Sequence, residues 1–244
     1  MRQLPANQIN RIVICQAFLD ALGQGIYLEV GVNTGHSFKP IVARSKWGVD
    51  PAFTLSWRRV LKYRVFAALR LKEERLFRMT SDSFFEMHQR MLKRHGVDVA
   101  FLDGLHTYEQ TLRDVMNTLK YLRPGGVILI HDCNPLSELA ATPAESINAL
   151  IKEVPPHWNG VWNGDVWKTI VHLRSLHPEL DAVVLDCDQG VGVVRRKSAN
   201  KRAGYSTEQI LEMGYPDLEA NREDLLGLVP PSHLWKMIEE SYNH

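Results

Sequence analysis

Ile26-Tyr27-Leu28-Glu29-Val30-Gly31-Val32-Asn33-Thr34-Gly35 is the stretch that decides how this chain reads. A short apolar run ends in a carboxylate, and a glycine turn follows. That order marks a first parallel strand leading into a ligand-binding loop. Gly31 and Gly35 allow a tight turn and a closer ligand approach than a Cβ would permit. The spacing Glu-x-Gly-x-x-x-Gly lacks the middle glycine of the dinucleotide fingerprint, so a pyrophosphate clasp fits it poorly.

Downstream, more strand ends carry acids. Trp47-Gly48-Val49-Asp50-Pro51 reads as the end of a second strand. Asp50, roughly 20 residues beyond the glycine turn, is placed to accept from both hydroxyls of a ribose, with a plain Asp-Pro turn as the alternative. Leu76-Phe77-Arg78-Met79 reads as a third strand, and Asp82 and Ser83 either cap the next helix or bond an adenine amino group. Val97–Asp103 is a buried run ending in a carboxylate. Gly104-Leu105-His106-Thr107 links it to a helix with Tyr108, Leu112, Val115, Leu119 and Leu122 at helical spacing. Pro124-Gly125-Gly126 is expected to stop that helix, and Val127–Asp132 is strand five, completing a right-handed βαβ unit.

The flanks are less regular. Asn7 is expected to cap a helix carrying Ile9, Val13, Ala17 and Leu22. Pro40 makes the helix after the glycine turn start near Lys39 or be distorted. Residues 56–75 are basic with interleaved apolar positions, which predicts a helical insertion: a solvated face, a subunit contact, or a cap over an anionic substrate. Residues 133–164, with four prolines, Trp158 and Trp162, predict a partly irregular excursion acting as a substrate-side lid. Asp165 is expected to cap a helix through Val166, Ile170 and Leu173. Asp181–Leu185 and Gly190–Val194 predict an antiparallel hairpin at the sheet edge. Residues 1–196 therefore read as one domain and 197–244 as a helical C-terminal extension, docked on that domain or on a partner subunit.

Composition narrows the classes. A chain of 244 residues, 45% hydrophobic and 23% charged, suits one sizeable globular domain with elaborations. A formal charge of +1 gives no global pull toward nucleic acid or membrane. Cys15, Cys133 and Cys187 are far apart, which argues against a disulfide scaffold or structural zinc and for a reducing cytoplasm. No apolar run reaches membrane-spanning length, and Met-Arg-Gln-Leu-Pro does not open a secretory signal.

Four segments in order, Leu28–Gly31, Gly48–Pro51, Phe101–Tyr108 and Leu122–Asp132, resemble the class I S-adenosylmethionine (SAM) methyltransferases of the methyltransferase-24 type, over roughly residues 25 to 195. The resemblance implies an α/β fold: a Rossmann-like, seven-stranded, mostly parallel sheet with helices on both faces and an antiparallel last strand. It implies SAM over the glycine turn and methyl transfer to the oxygen of a small molecule, a sugar or secondary metabolite. Glu29, Gly31, Asn33 and Gly35 would line the methionine and ribose end, Asp50 would hold the ribose, Asp82 the adenine edge, and Asp103 would complete the cofactor site. Metal-dependent relatives imply Asp103 and Asp132 as ligands of a divalent cation, Mg²⁺ or another. The pattern departs at His131, where sugar enzymes carry a carboxylate, and at Cys133, where catechol enzymes carry an amide.

The residues themselves point the same way. A hydroxyl acceptor is protonated at neutral pH and needs either a base or a cation that lowers its pKa. His106 is the first choice of base and His131 the second. Carboxylates alone suit Mg²⁺ or Ca²⁺, whereas an added imidazole suits Mn²⁺, Fe²⁺ or Zn²⁺. Structural alternatives stand beside these roles. Asp103 can cap a helix, His106 can be a turn residue, Tyr108 and Cys133 can be core, and Trp158, Trp162 and Trp167 can be packing rather than a substrate platform. Two other functions compete: a metal-dependent hydroxylase on the same sheet, and a non-catalytic SAM-fold subunit. A second copy of the chain is a candidate partner.

Overall fold

The computed structural model describes residues 4–54, 73–144, 147–151, 158, 160–198 and 202–242. Its strands are β1 (Ile26–Val30), β2 (Ser45–Val49), β3 (Glu73–Phe77), β4 (Val97–Leu102), β5 (Leu122–Ile130), β6 (Leu180–Leu185), β7 (Val191–Arg196) and β8 (Leu228–Val229). They form one eight-stranded sheet in the order β3-β2-β1-β4-β5-β7-β6-β8. This is the expected Rossmann-like α/β architecture, with one strand more than the seven expected.

The chain divides into two compact units. The first comprises Asn10–Gly104, Asp114–Leu129 and Lys236–His244; the second comprises Met1–Ile9, Leu105–Arg113 and Ile130–Trp235.

In the first unit β1 runs parallel to β2 and β4, and β2 parallel to β3. All five residues of β1 and all five of β2 are buried, as strands covered on both faces require, and Glu29, Ser45 and Lys46 are the polar members among them. Leu28 lies opposite both Trp47 and Ala100, and burying side chains of this size contributes about 1.5–3 kcal/mol each. Gly48 leaves room for Val32, Phe38 and Leu76, whose atoms lie 2.8–3.1 Å from where its Cβ would stand. Helix α1 (Arg11–Ala21) is capped by Asn10, whose side chain accepts from the amides of Ile12 and Val13. The cap is therefore Asn10 rather than Asn7, which sits in a 3₁₀ turn.

Three expectations change here. Residues 31–44 contain turns and no helix. Pro40 lacks the amide proton needed to extend an i→i−4 ladder, while the buried Phe38 and Ile41 fill the space. Helix α2 (Ser81–Met87) is capped by Thr80, not by Asp82 or Ser83; α3 (Gln89–His95) follows it. The basic stretch expected to be helical lies outside the described residues up to 72.

In the second unit β6 and β7 form the expected antiparallel hairpin, and β8 adds to β6 in parallel. Helix α4 (Tyr108–Leu119) begins in this unit and ends before Lys120, so Pro124-Gly125-Gly126 does not stop it; those residues belong to β5. Gly125 there has φ +75°. After α5 (Ile147–Ile151) comes α6 (Trp167–Leu176). Asp165 does not cap α6. Its carboxylate accepts from the amide of Tyr108 at 2.8 Å and so caps α4. The tail forms α7 (Thr207–Glu212), α8 (Tyr215–Leu226) and α9 (His233–Tyr242). Lys168 of α6 donates to the carbonyl of Leu211, and Arg222 of α8 donates to the carbonyl of Pro135 at 2.7 Å and to Asn134 Oδ1.

Gly31 gives a direct test of the strand-tip packing. Its φ is +91°, and a Cβ would stand 1.8 Å from the carbonyl oxygen of Asp103. Gly23 shares the left-handed conformation but has nothing within 4 Å. Gly23→Ala should cost only about 1–2 kcal/mol of strain. Gly31→Ala should exceed that by a further 1–3 kcal/mol for the overlap, read as the difference in urea midpoints.

Candidate active site

The first unit holds the glycine loop and three strand tips. The amide of Gly31 bonds to the carbonyl of Val49, and the amide of Asp103 to that of Val30. These bonds bring the ends of β1, β2 and β4 level. Asp50 pins the loop: its Oδ2 accepts from the amide of Asn33 at 2.7 Å and its Oδ1 from Ala52 at 2.6 Å. Asn33 is exposed with φ +45°, and Gly35 is buried with φ +71°. Asp103 is half-buried and paired with Arg11 Nη1 of α1 at 3.4 Å.

Glu29 is placed differently from the loop residues. It is fully buried, with Oε2 accepting from Tyr27 Oη at 2.6 Å and Oε1 from Ser37 Oγ at 3.0 Å. Burial pushes its pKa up to about 8, against the opposing pull of those two hydrogen bonds; Asp103 raises it further and Lys46 lowers it. Asp82 is exposed in the first turn of α2 and lines a hollow with Phe85, Glu86, Lys120 and Tyr121.

The second unit gathers His106, His131 and Asp132. Asp132 follows β5 directly, is 5% exposed, and has φ +61°. A non-glycine residue held in that region is strained, and such strain concentrates at functional sites. Its carboxylate is surrounded. Oδ1 accepts from Asn163 Nδ2 at 2.8 Å, Oδ2 lies 2.9 Å from His131 Nδ1, and the same oxygen lies 3.4 Å from His106 Nε2. His131 Nε2 faces Asp188 Oδ1 at 3.7 Å.

His106 is oriented from its other nitrogen. Nδ1 lies 2.9 Å from the carbonyl oxygen of Trp162. A carbonyl can only accept, so Nδ1 carries a proton there, while Nε2 faces a second acceptor, the Asp132 carboxylate. The Asp132 carboxylate stabilises a proton placed on Nε2. Trp162 also stacks on the imidazole, with centroids 4.8 Å apart at 30°. Trp167 is core, Trp158 donates to the carbonyl of Val161, and the Cys133 thiol is buried, its pKa raised by that burial. Tyr108 is buried as a core residue, with its hydroxyl 2.7 Å from His172 Nδ1.

Sequence reasoning missed Arg11, Tyr27, Ser37 and Asn163. Only Asn163-Gly164, a turn dipeptide, offered a local signal.

Residues 28–133 match the family model described as a methyltransferase domain. The match spans less than half of the chain. Among solved structures, the domain and its flanks are similar to an O-methyltransferase from Bacillus cereus in complex with SAH: TM-score 0.49, 17% identity, covering 80% of this chain and 84% of that one. They are also similar to the O-methyltransferase TomG from Streptomyces achromogenes in complex with SAM, with TM-score 0.47, 14% identity, 80% of this chain and 84% of that one. A third is the SAH-bound methyltransferase PaMTH1 of Podospora anserina, with TM-score 0.45, 17% identity and 79% and 81% coverage. No curated protein sequence matches the chain.

Glu29 makes stability depend on pH. The folded carboxyl holds its proton up to about pH 8, whereas the unfolded one releases it near 4.3. The stabilisation is therefore complete below the unfolded value and is lost as pH rises toward 8. The melting temperature should fall between about pH 5 and 8, and Glu29→Gln should flatten that slope in thermal denaturation.

Proposed function

We propose that the chain transfers a methyl group from SAM to a hydroxyl oxygen of a small molecule, with His106 as the base. The observation that carries this reading is the His106–Asp132 pair: an imidazole nitrogen 3.4 Å from a buried carboxylate. SAM supplies an electrophilic methyl group, so the residues need only align the acceptor and remove its proton. Nε2 of His106 takes the hydroxyl proton, and Asp132 stabilises the imidazolium that results. His131, already engaged with Asp132, takes the secondary role of holding that carboxylate in place.

The glycine loop fits the cofactor. Asn33 is exposed at the turn, and Asp50 at the tip of β2 is half-exposed with acceptor capacity for vicinal hydroxyls. Gly31, Gly35 and Asp103 complete this rim. Glu29 contributes from beneath it by holding Tyr27 and Ser37, and Asp82 contributes the adenine edge. Asp132 also has the chemistry of a divalent-cation ligand, with imidazole nitrogens beside it that suit Mn²⁺, Fe²⁺ or Zn²⁺ better than Mg²⁺. A cation there would lower the pKa of the acceptor hydroxyl. The described residues 133–144 and 160–164 would cover the acceptor, and Arg222 of α8 would brace Asn134 and Pro135; residues 145–146, 152–157 and 159 of that excursion lie outside the described residues.

Isothermal calorimetry with SAH tests the cofactor assignment, and no heat at high micromolar ligand overturns it. SAH release from SAM with a panel of phenols and sugars tests the reaction. His106→Gln should lower kcat by about 10²–10⁴-fold and leave SAH affinity unchanged. Chelation should lower turnover if a cation takes part; full activity in chelator would remove the metal and leave the base.

A further inference from the structure

The chain leaves β5 through Asp132, Cys133 and Asn134, and this exit is held from two directions. From the β6–β7 loop, the carbonyl of Gly190 accepts from the amide of Cys133, and the carbonyl of Gln189 from that of Asn134. Asp188 and Gln189 of that loop have φ +50° and +65°, and a Cβ at Gly190 would stand 2.4 Å from Asn134 Cβ. The Asn134 side chain is 3% exposed and donates through Nδ2 to Asp186 Oδ1 at 3.1 Å. From the tail, Arg222 Nη1 donates to Asn134 Oδ1 and to the carbonyl of Pro135 at 2.7 Å. Among the described residues the hydrogen bonds of this guanidinium go to neutral oxygens, the third being the Tyr215 hydroxyl.

Helix α8 departs from helical geometry at Asn221 (φ −141°, ψ 35°), the residue before Arg222. No proline or glycine stands between Asp217 and Leu226 to impose that break. It sits where Arg222 turns toward Asn134 and Pro135, and the bonds made there offset the helical geometry given up. Asp132 has its own strained backbone, with φ +61°, and strain of that kind persists only where the surroundings over-determine it. Strand β5 fixes the chain before Asp132; residues 133–135 fix it after. We infer that Arg222 is a positioning residue for Asp132: by gripping Asn134 and Pro135 it holds the backbone from which the carboxylate takes its direction. The effect on turnover rests on the methyl-transfer reading; the grip on residues 134–135 does not.

The test uses the full chain and begins with hydrogen exchange at the Cys133 and Asn134 amides, followed by NMR. Arg222→Met keeps the stem and removes the donors. Both amides should exchange at least about tenfold faster in it, the loss of one hydrogen bond from a charged donor, while the amides of Ile128 and Ile130 keep their protection. With SAM and an acceptor found active in the phenol and sugar panel, kcat should fall by about 10²-fold at unchanged SAH affinity. Arg222→Lys should recover part of it. Asn134→Ala should match Arg222→Met, and the double variant should be no slower than either alone. Lys168→Met removes the tail's bond to the Leu211 carbonyl and should lower the melting temperature without lowering kcat. Should Arg222→Met not fold, Arg222→Lys gives the same readings at smaller amplitude. Unchanged exchange at both amides in the folded variant overturns the assignment, as does a fully additive double variant or an equal loss of kcat in Lys168→Met. If exchange responds as expected but no acceptor is methylated by the unaltered chain, the grip stands and the reaction assignment fails.

Discussion

A carboxylate taken out of water must be given donors or it gives up its charge, and Asp132 is where the chain meets that demand. It is 5% exposed, at the end of β5, with its backbone in a conformation that costs about 1–3 kcal/mol for a residue with a Cβ. The neighbouring loops are arranged to satisfy it. His131 comes from the preceding position, Asn163 from the return of a long excursion, and His106 from the loop after β4. Each of these contacts would be lost if β5 ended a residue earlier or if its last residues turned normally. The strain at Asp132 is thus tied to the chemistry around it.

The sheet was legible because parallel strands bury both faces. Val97–Leu102 and Ile26–Val30 are apolar runs broken only by Asp98 and Glu29, and a run of that kind has few other places to go. What failed were boundaries set by choices between equivalent residues. Asn7 and Asn10 lie one turn apart, and either can cap the same periodic stretch. Pro124-Gly125-Gly126 reads as a stop, yet a strand entering a sheet tolerates it where its backbone need not pair. The two residues of β8 are too few to show any period, so the eighth strand had no signature at all.

The candidate site divides along similar lines. Acids and imidazoles next to strand ends could be located from position alone, which is why His106, His131 and Asp132 were singled out and why their side chains meet. Partners that arrive from far along the chain could not. Arg11 reaches Asp103 across 92 positions, and Asn163 reaches Asp132 across 31. Glu29 shows the opposite problem. Its place in the motif is plain, but Tyr27 and Ser37, which occupy its oxygens, are ordinary residues whose role depends on the fold of the loop.

The hold of Arg222 on Asn134 and Pro135 has a bearing on how the chain comes into being. The loop leaving β5 cannot reach its final shape until a residue some ninety positions later has been synthesised and has folded back. A ribosome-bound chain will therefore carry its first strands in order well before the ground around Asp132 is set. Competence should appear late and all at once, with the emergence of the tail.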